Sequence, residues 1–377
     1  MLIKFAHQIF TIGLGVLGLG FITAFHEFGH FIFCKLFRVH TPSFSIGFGP
    51  RLFQKKIGGT VFAISAIPMG GYVEIAGAQE VGQGDQKEAF RGDEYSFNQK
   101  PYYQKMIILG GGIFFNLIFA YAVLTLLFAF GTGKTPMLYP YNATAVIEKV
   151  IPESPAALAG IQPGDSLKQI VGSDSNQLGI HSHELSTGSM VTESFFRKIA
   201  DSDTKEITLL VQRPGQEEPI SSTIQLNCAG KGPRVGLVFE QAEQPKRSLL
   251  NAARASIELV NIWIGGTFKS IATMFKQKTT CGLSGPISII SETAKGAGHS
   301  AGTFFIILCF ISVGLAIINL LPLPIFDGGQ ALFFTIEAIT GRSLDKARLY
   351  IHYASWILVI GLMLYLSYKD ILRILFS

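Results

Sequence analysis

Four stretches of the chain, residues 5–33, 106–130, 302–326 and 350–367, run apolar with few charges. Each holds about 18 residues or more, enough to cross a hydrocarbon core, so the pattern predicts four transmembrane helices. The first continues past Gly20 into His26 and Glu27 without an early small-residue cleavage site, and it reads as a span rather than a removable signal peptide. Residues 249–275 are apolar on one side only, interrupted by Arg254, Glu258 and Lys269, with Gly265 and Gly266 in the middle. That pattern fits an interfacial helix better than a fifth crossing, which would invert every later side assignment.

The polar and mixed stretches have their own periods. Residues 44–76 are rich in glycine, proline, aromatic and β-branched residues, and predict short hairpin strands between the first two spans. Residues 77–100 are polar and predict an exposed loop. From about 135 to 242 the chain alternates in segments such as ATAVIEKVI and EITLLVQR, the pattern of a separate extramembrane module. The expected organisation is a membrane core over 1–134 and 243–377, with the module at 135–242 inserted between its halves.

Composition agrees with lipid: 48% of residues are hydrophobic and 15% charged. The net charge of +5 carries no nucleic-acid signal, because the basic residues cluster beside the spans. Lys35, Arg38, Arg51, Lys55, Lys56, Lys87, Arg91, Lys100 and Lys105 lie between spans one and two and assign that side to the cytoplasm. Both termini and the inserted module then fall on the outer side, against which only Lys369 and Arg373 weigh. The cysteines at 34, 228, 281 and 309 have no CxxC spacing; Cys228 and Cys281 would share the outer compartment, where a disulfide is permitted.

Chemistry enters with FHEFGHF in the first span. His26 and His30 stand four residues apart on one helical face, so both imidazoles reach one metal, with Glu27 beside them for a bound water. Two imidazoles and a carboxylate are costly inside an apolar span and persist mainly where they line a functional cavity. Zinc hydrolysis needs a third protein ligand and a carboxylate base. The best candidate ligand is Asp327, at the end of the third apolar stretch in INLLPLPIFDGG, after Pro322 and Pro324 break the helix; an Asp-Gly pair is also a common turn. His7, His40, His181, His183, His299 and His352 read as ordinary side chains.

HEFGH, NLLPLPIFDGG, GGYVEIAG at 70–77, GGIFFN at 111–116, LSGPISI at 283–289 and KGAG at 295–298 together, and in this order, resemble the site-2 protease family of intramembrane metalloproteases, bacterial regulator of sigma-E protease type. The resemblance covers nearly the whole chain. It implies zinc on His26, His30 and Asp327, Glu27 as catalytic base, and Asn319 as a substrate-contacting residue. Three departures stand out: Phe326 before the aspartate where leucine is usual, Ile113 where the family has proline after glycine, and one extramembrane module where the best-known member of the subgroup has two.

VIPESPAALAGIQPGDSLKQIVG, at 150–172, resembles a PDZ domain, with a helix over Ala156 to Ala159, a Gly160 cap and a turn at Pro163-Gly164-Asp165. The fold class expected is therefore a polytopic α-helical membrane protein of about four spans, with a membrane-associated β-hairpin region and one PDZ-like α+β domain. The resemblance implies a bacterial inner membrane location, an active site towards the cytoplasm and the PDZ-like domain outside. Its substrates would be single-pass membrane proteins such as anti-sigma factors, or signal-peptide remnants, with the bilayer and a peptide at the PDZ-like domain as further partners. Two rivals remain: a membrane zinc protease of the class that trims prenylated proteins, with Glu as third ligand, and a non-catalytic scaffold recruiting partners through the PDZ-like module.

Overall fold

A computed structural model describes residues 2–78, 88, 91–139, 143–171, 206–226, 235–277, 285–342 and 344–376. His181, His183, Cys228 and Cys281 lie outside the described residues, and with them the Cys228–Cys281 pairing. The chain divides into two compact units, one of residues 1–129 and 247–377, the other of residues 130–246.

Among the described residues, four helices are long and apolar enough to cross a membrane: Lys4–Leu36, Tyr102–Phe130, Ala301–Asn319 and Tyr350–Leu372. They belong to α1 (Leu2–Leu36), α2 (Tyr102–Phe130), α6 (Ala301–Asn319) and α8 (Asp345–Phe376). The other helices are α3 (Pro155–Leu158), α4 (Leu249–Gln277), α5 (Pro286–His299) and α7 (Asp327–Thr340). α4 has 29 residues but is not among the spans. It buries Ala252, Ala255, Ser256, Leu259 and Val260 and exposes Arg254, Glu258 and Lys269, the one-sided stripe of an amphipathic helix.

Glycine sets how closely α1 meets its neighbours. At the crossing with α2 a Cβ on Gly29 would lie 2.6 Å from the carbonyl carbon of Gly111, and one on Gly111 would lie 2.8 Å from Gly29 O. Backbone therefore rests on backbone there, as small residues permit in lipid. On another flank, a Cβ on Gly15 would lie 3.2 Å from Ile290 O of α5. α5 in turn is held to α8, where the buried Asp370 carboxylate accepts the Ser288 amide at 2.9 Å in its first turn.

The region after α1 is formed by β1 (Ser43–Ile57) and β2 (Thr60–Val73), which pair as several short segments: Ser45 faces both Ala63 and Tyr72, Ile46 faces both Ile64 and Gly71, and the pairs from Arg51–Ser65 to Ile57–Thr60 close a hairpin. Gly58 and Gly59 join them with φ of 55° and 90°, the left-handed pair that a two-residue hairpin turn demands. Its base is buried at Phe44, Ser45, Ala63, Ser65 and Val73, while Leu52, Phe53 and Ile57 stand exposed towards the tip. β2 seats on α1 at small residues: a Cβ on Gly20 would lie 3.1 Å from the Pro68 carbonyl carbon, and one on Gly71 would lie 3.6 Å from Ala24 Cα.

The second unit is an antiparallel sheet in the order β6-β5-β4-β3-β7, with β3 (Ala143–Val150), β4 (Ser166–Val171), β5 (Glu206–Gln212), β6 (Ile220–Gln225) and β7 (Leu237–Gln241). EITLLVQ alternates as the sequence predicts, burying Ile207, Leu209 and Val211 in a core with Ile147, Leu167, Ile224 and Phe239. Ser154 caps α3 through Ala157 N, and Gly160 follows it with φ 77°. The buried Asp165 receives Arg213 through both carboxylate oxygens at 2.9 Å. The guanidinium holds that carboxyl below its ordinary range.

Candidate metal centre

HEFGH lies in the second half of α1, where helical spacing sets the two imidazoles one above the other, ring centroids 4.8 Å apart. Both are buried, each with 6% exposure. The third group arrives from far along the chain. Asp327 was expected at the end of the third apolar helix; instead α6 stops at Asn319, a loop over residues 320–326 turns the chain, and Asp327 opens α7. Pro322 and Pro324 supply no N–H and stop the helix, and a carboxylate suits the positive end of the next one. Gly328 and Gly329 let that first turn fold back on the loop, since a Cβ on Gly329 would lie 2.6 Å from Pro324 N.

The three groups converge. His26 Nε2 and His30 Nε2 are 3.2 Å apart, and Asp327 Oδ2 lies 3.3 Å from the first and 3.5 Å from the second. Four ligands at about 2.0–2.1 Å around zinc stand about 3.3–3.4 Å apart along each tetrahedral edge, so these separations are those of three corners of such a site. Asp327 Oδ2 is buried with no hydrogen-bond partner, an acceptor aimed at the point the two nitrogens share. Among the described residues this is the group of histidine, cysteine and acidic side chains placed to hold a metal ion, and it contains no glutamate. The donor set, two imidazoles and one carboxylate with a corner left over, fits catalytic zinc.

Groups around the ligands orient them. His30 Nδ1 lies 2.8 Å from the Ile108 carbonyl, which can only accept, so the proton sits on Nδ1 and Nε2 presents a lone pair. His26 Nδ1 faces the side-chain amide nitrogen of the fully buried Asn116 at 3.0 Å, and the amide oxygen has no partner. A metal on His26 Nε2 places a proton on Nδ1, which calls for the amide oxygen at that contact. Asn319 Nδ2 comes within 3.5 Å of His26 Nε2, beside the metal-facing edge of the ring. Glu27 Oε2 accepts the Val73 amide of β2 at 3.2 Å.

The glycines of α2 read in sequence as packing residues. Gly111 does pack, but Gly112 does more: a Cβ there would lie 2.5 Å from His30 Nε2 and 2.6 Å from His26 Nε2, and closer still to His26 Cε1. Gly112 and Asn116, one turn apart, thus form the floor of the centre, and sequence reasoning assigned neither to it. Asn116 carried a signal, a carboxamide in a charge-free span, which in lipid is by default a functional residue. Gly112, the Ile108 carbonyl and the Val73 amide carried none.

A family profile described as Peptidase family M50 matches residues 14–364. A protein of Fusobacterium nucleatum subsp. nucleatum named as a putative zinc metalloprotease is 30% identical over 375 residues, 97% of this chain and 99% of that protein. Proteins of the same description from Synechocystis sp. and Campylobacter jejuni are 28% and 30% identical, over 96% of this chain in each case and 94% and 93% of their own lengths. A profile match of this extent, joined to end-to-end likeness with relatives, means that the chain belongs to peptidase family M50, the site-2 protease family.

Proposed function

We propose that this membrane zinc metalloprotease holds its metal on His26, His30 and Asp327, uses Glu27 as general base, and cleaves peptide bonds within or near the transmembrane segments of single-pass membrane proteins. The observation that carries the ligand set is the convergence of three lone-pair atoms at 3.2–3.5 Å on an unpartnered buried carboxylate oxygen. The relatives' description as zinc metalloproteases supports the choice of ion.

Bound zinc supplies Lewis acidity to water and to the scissile carbonyl. The chain's own residues do the rest. Val73 N–H restrains Glu27 Oε2, leaving Oε1 to take a proton from the attacking water and deliver it to the leaving amine nitrogen as the carbon–nitrogen bond breaks. Asn319, whose side-chain amide lies 3.5 Å from His26 Nε2, contacts substrate beside the centre in this reading. A substrate helix hides its amides, so it must unwind before cleavage, and the hairpin backbone offers a strand on which the freed groups can pair.

The second unit is read as a PDZ-like domain. Support comes from its five-stranded antiparallel sheet and from the run of β3, α3, Gly160 and β4, which follows the sequence pattern. On the positive-inside bias the active site faces the cytoplasm and this domain the outer side of a bacterial inner membrane. There it captures peptide termini or excludes bulky outer domains, so that substrates arrive already shortened, as anti-sigma factors or signal-peptide remnants would. The test is Glu27→Gln in purified, reconstituted protein with a single-pass reporter: zinc stays at one equivalent and cleavage stops. Persistent turnover would overturn the assignment of the base.

A further inference from the structure

His352 reads in sequence as an ordinary histidine of the fourth span, yet both of its ring nitrogens are committed. Trp356, one turn on in α8, donates its indole N–H to His352 Nε2 at 3.1 Å. An indole nitrogen is a donor only, so Nε2 must accept and the imidazole proton must sit on Nδ1. Nδ1 lies 3.1 Å from the carbonyl oxygen of Pro324, to which it therefore donates. Pro324 stands in the loop between α6 and α7, with Asn319 ending the one helix and Asp327 opening the other. Within that loop Leu323 N bonds Leu321 O and Phe326 N bonds Leu323 O, both at 2.8 Å, and the two prolines add no donors.

We infer that His352, set in its Nδ1–H tautomer by Trp356, is a positioning residue for proteolysis. It fixes the Pro324 carbonyl and with it the placement of Asp327 against His26 and His30. The inference rests on the ligand set proposed above. A backbone carbonyl left unpaired in lipid is costly, so the loop held by His352 is stiffer than proline stops alone would make it. The fourth span thereby becomes part of the metal centre without supplying a ligand.

The test compares wild type, His352→Leu, His352→Asn and Trp356→Phe as full-length reconstituted proteins. Three readouts are taken: zinc affinity by chelator competition, the visible spectrum after loading with Co2+, and kcat and KM on a single-pass reporter. Leucine removes the donor, and the expected result is zinc affinity lower by about 10-fold or more, of the order seen when orienting groups around ligands are lost, with a shifted Co2+ spectrum and a fall in kcat rather than a rise in KM. Asparagine carries an N–H donor near the position of Nδ1 and restores most of the affinity and the wild-type spectrum. Trp356→Phe frees the tautomer and moves all three readouts in the direction of the leucine variant by a smaller amount. Wild-type affinity and spectrum in His352→Leu, or equal losses with asparagine and leucine, would overturn the inference. Failure of the wild type itself to bind one zinc would instead overturn the ligand set, and this inference with it.

Discussion

Replacing Gly112 with alanine puts a methyl group between the two ligand imidazoles. The new carbon would start 2.5 Å from His30 Nε2 and 2.6 Å from His26 Nε2, whereas non-bonded carbon contacts sit at about 3.5–4.0 Å, so each nitrogen would have to retreat by about 1 Å. A metal site tolerates about 0.2 Å in its ligand distances, so the two nitrogens could not keep their share of a tetrahedron. Relief by withdrawal of α2 would part the backbone-to-backbone contact next door, where a Cβ on Gly111 would lie 2.8 Å from Gly29 O, and so forfeit the packing that joins the two helices. Overpacking of this kind costs about 1–3 kcal/mol of stability, which a four-span protein can carry while remaining folded. Zinc binding is where the loss falls, and a drop of at least about 100-fold in affinity is expected, the upper end of what loss of an orienting group alone produces. Metal content by mass spectrometry after dialysis against a weak chelator reads it directly, with insertion and thermal unfolding as companions. Gly110→Ala is the control, since a Cβ at 110 meets nothing within 4 Å, and it should bind zinc as wild type does. Stoichiometric zinc and full cleavage in Gly112→Ala would refute the account of this glycine as the floor of the centre.

Asn116→Leu should lower zinc affinity by about 10–100-fold by leaving His26 Nδ1–H without an acceptor, whereas Asn116→Asp, an acceptor of the same shape, should retain zinc; the reverse ranking in a chelator competition would mean that the amide acts as a donor. Asp327→Ala leaves two imidazoles where catalytic zinc needs three protein ligands, and should abolish both metal retention and cleavage, while wild-type protein stripped by a chelator should regain activity on adding zinc alone. Arg213→Ala should destabilise the second unit by leaving the buried Asp165 carboxylate without its guanidinium, seen as faster amide exchange over β4 and β5 in the intact protein. Because Arg213 holds the Asp165 carboxyl below its unfolded value of about 3.9, the pair stabilises the fold above that pH and ceases to do so as pH falls through the lower folded value; that acid-side loss should shrink in the variant.

The parts legible in the sequence were those that a single segment must solve alone. In lipid each span satisfies its own backbone, so the four apolar stretches declare themselves without reference to one another. His26, Glu27 and His30 are legible for the same reason, because one helical turn brings them together. Asp327 becomes a candidate ligand only in combination with them, and its local setting differs from the expectation: the prolines end α6 early enough for the aspartate to begin a new helix. What the sequence withheld is what two neighbours do to α1. α2 reaches it through Gly29 and Gly111, β2 through Gly20, Ala24 and Gly71, and the contacts that orient His30 and Glu27 are made by main-chain groups of Ile108 and Val73. Main-chain partners leave no residue type to recognise, and a glycine that admits a backbone looks the same in sequence as one that clears space for a ring. The rigidity of the centre therefore resides largely in backbone approach. That is why substitutions adding one methyl group at Gly112 or Gly29 should do more damage to zinc binding than polar changes on the flank of α4 where Arg254 and Glu258 stand exposed.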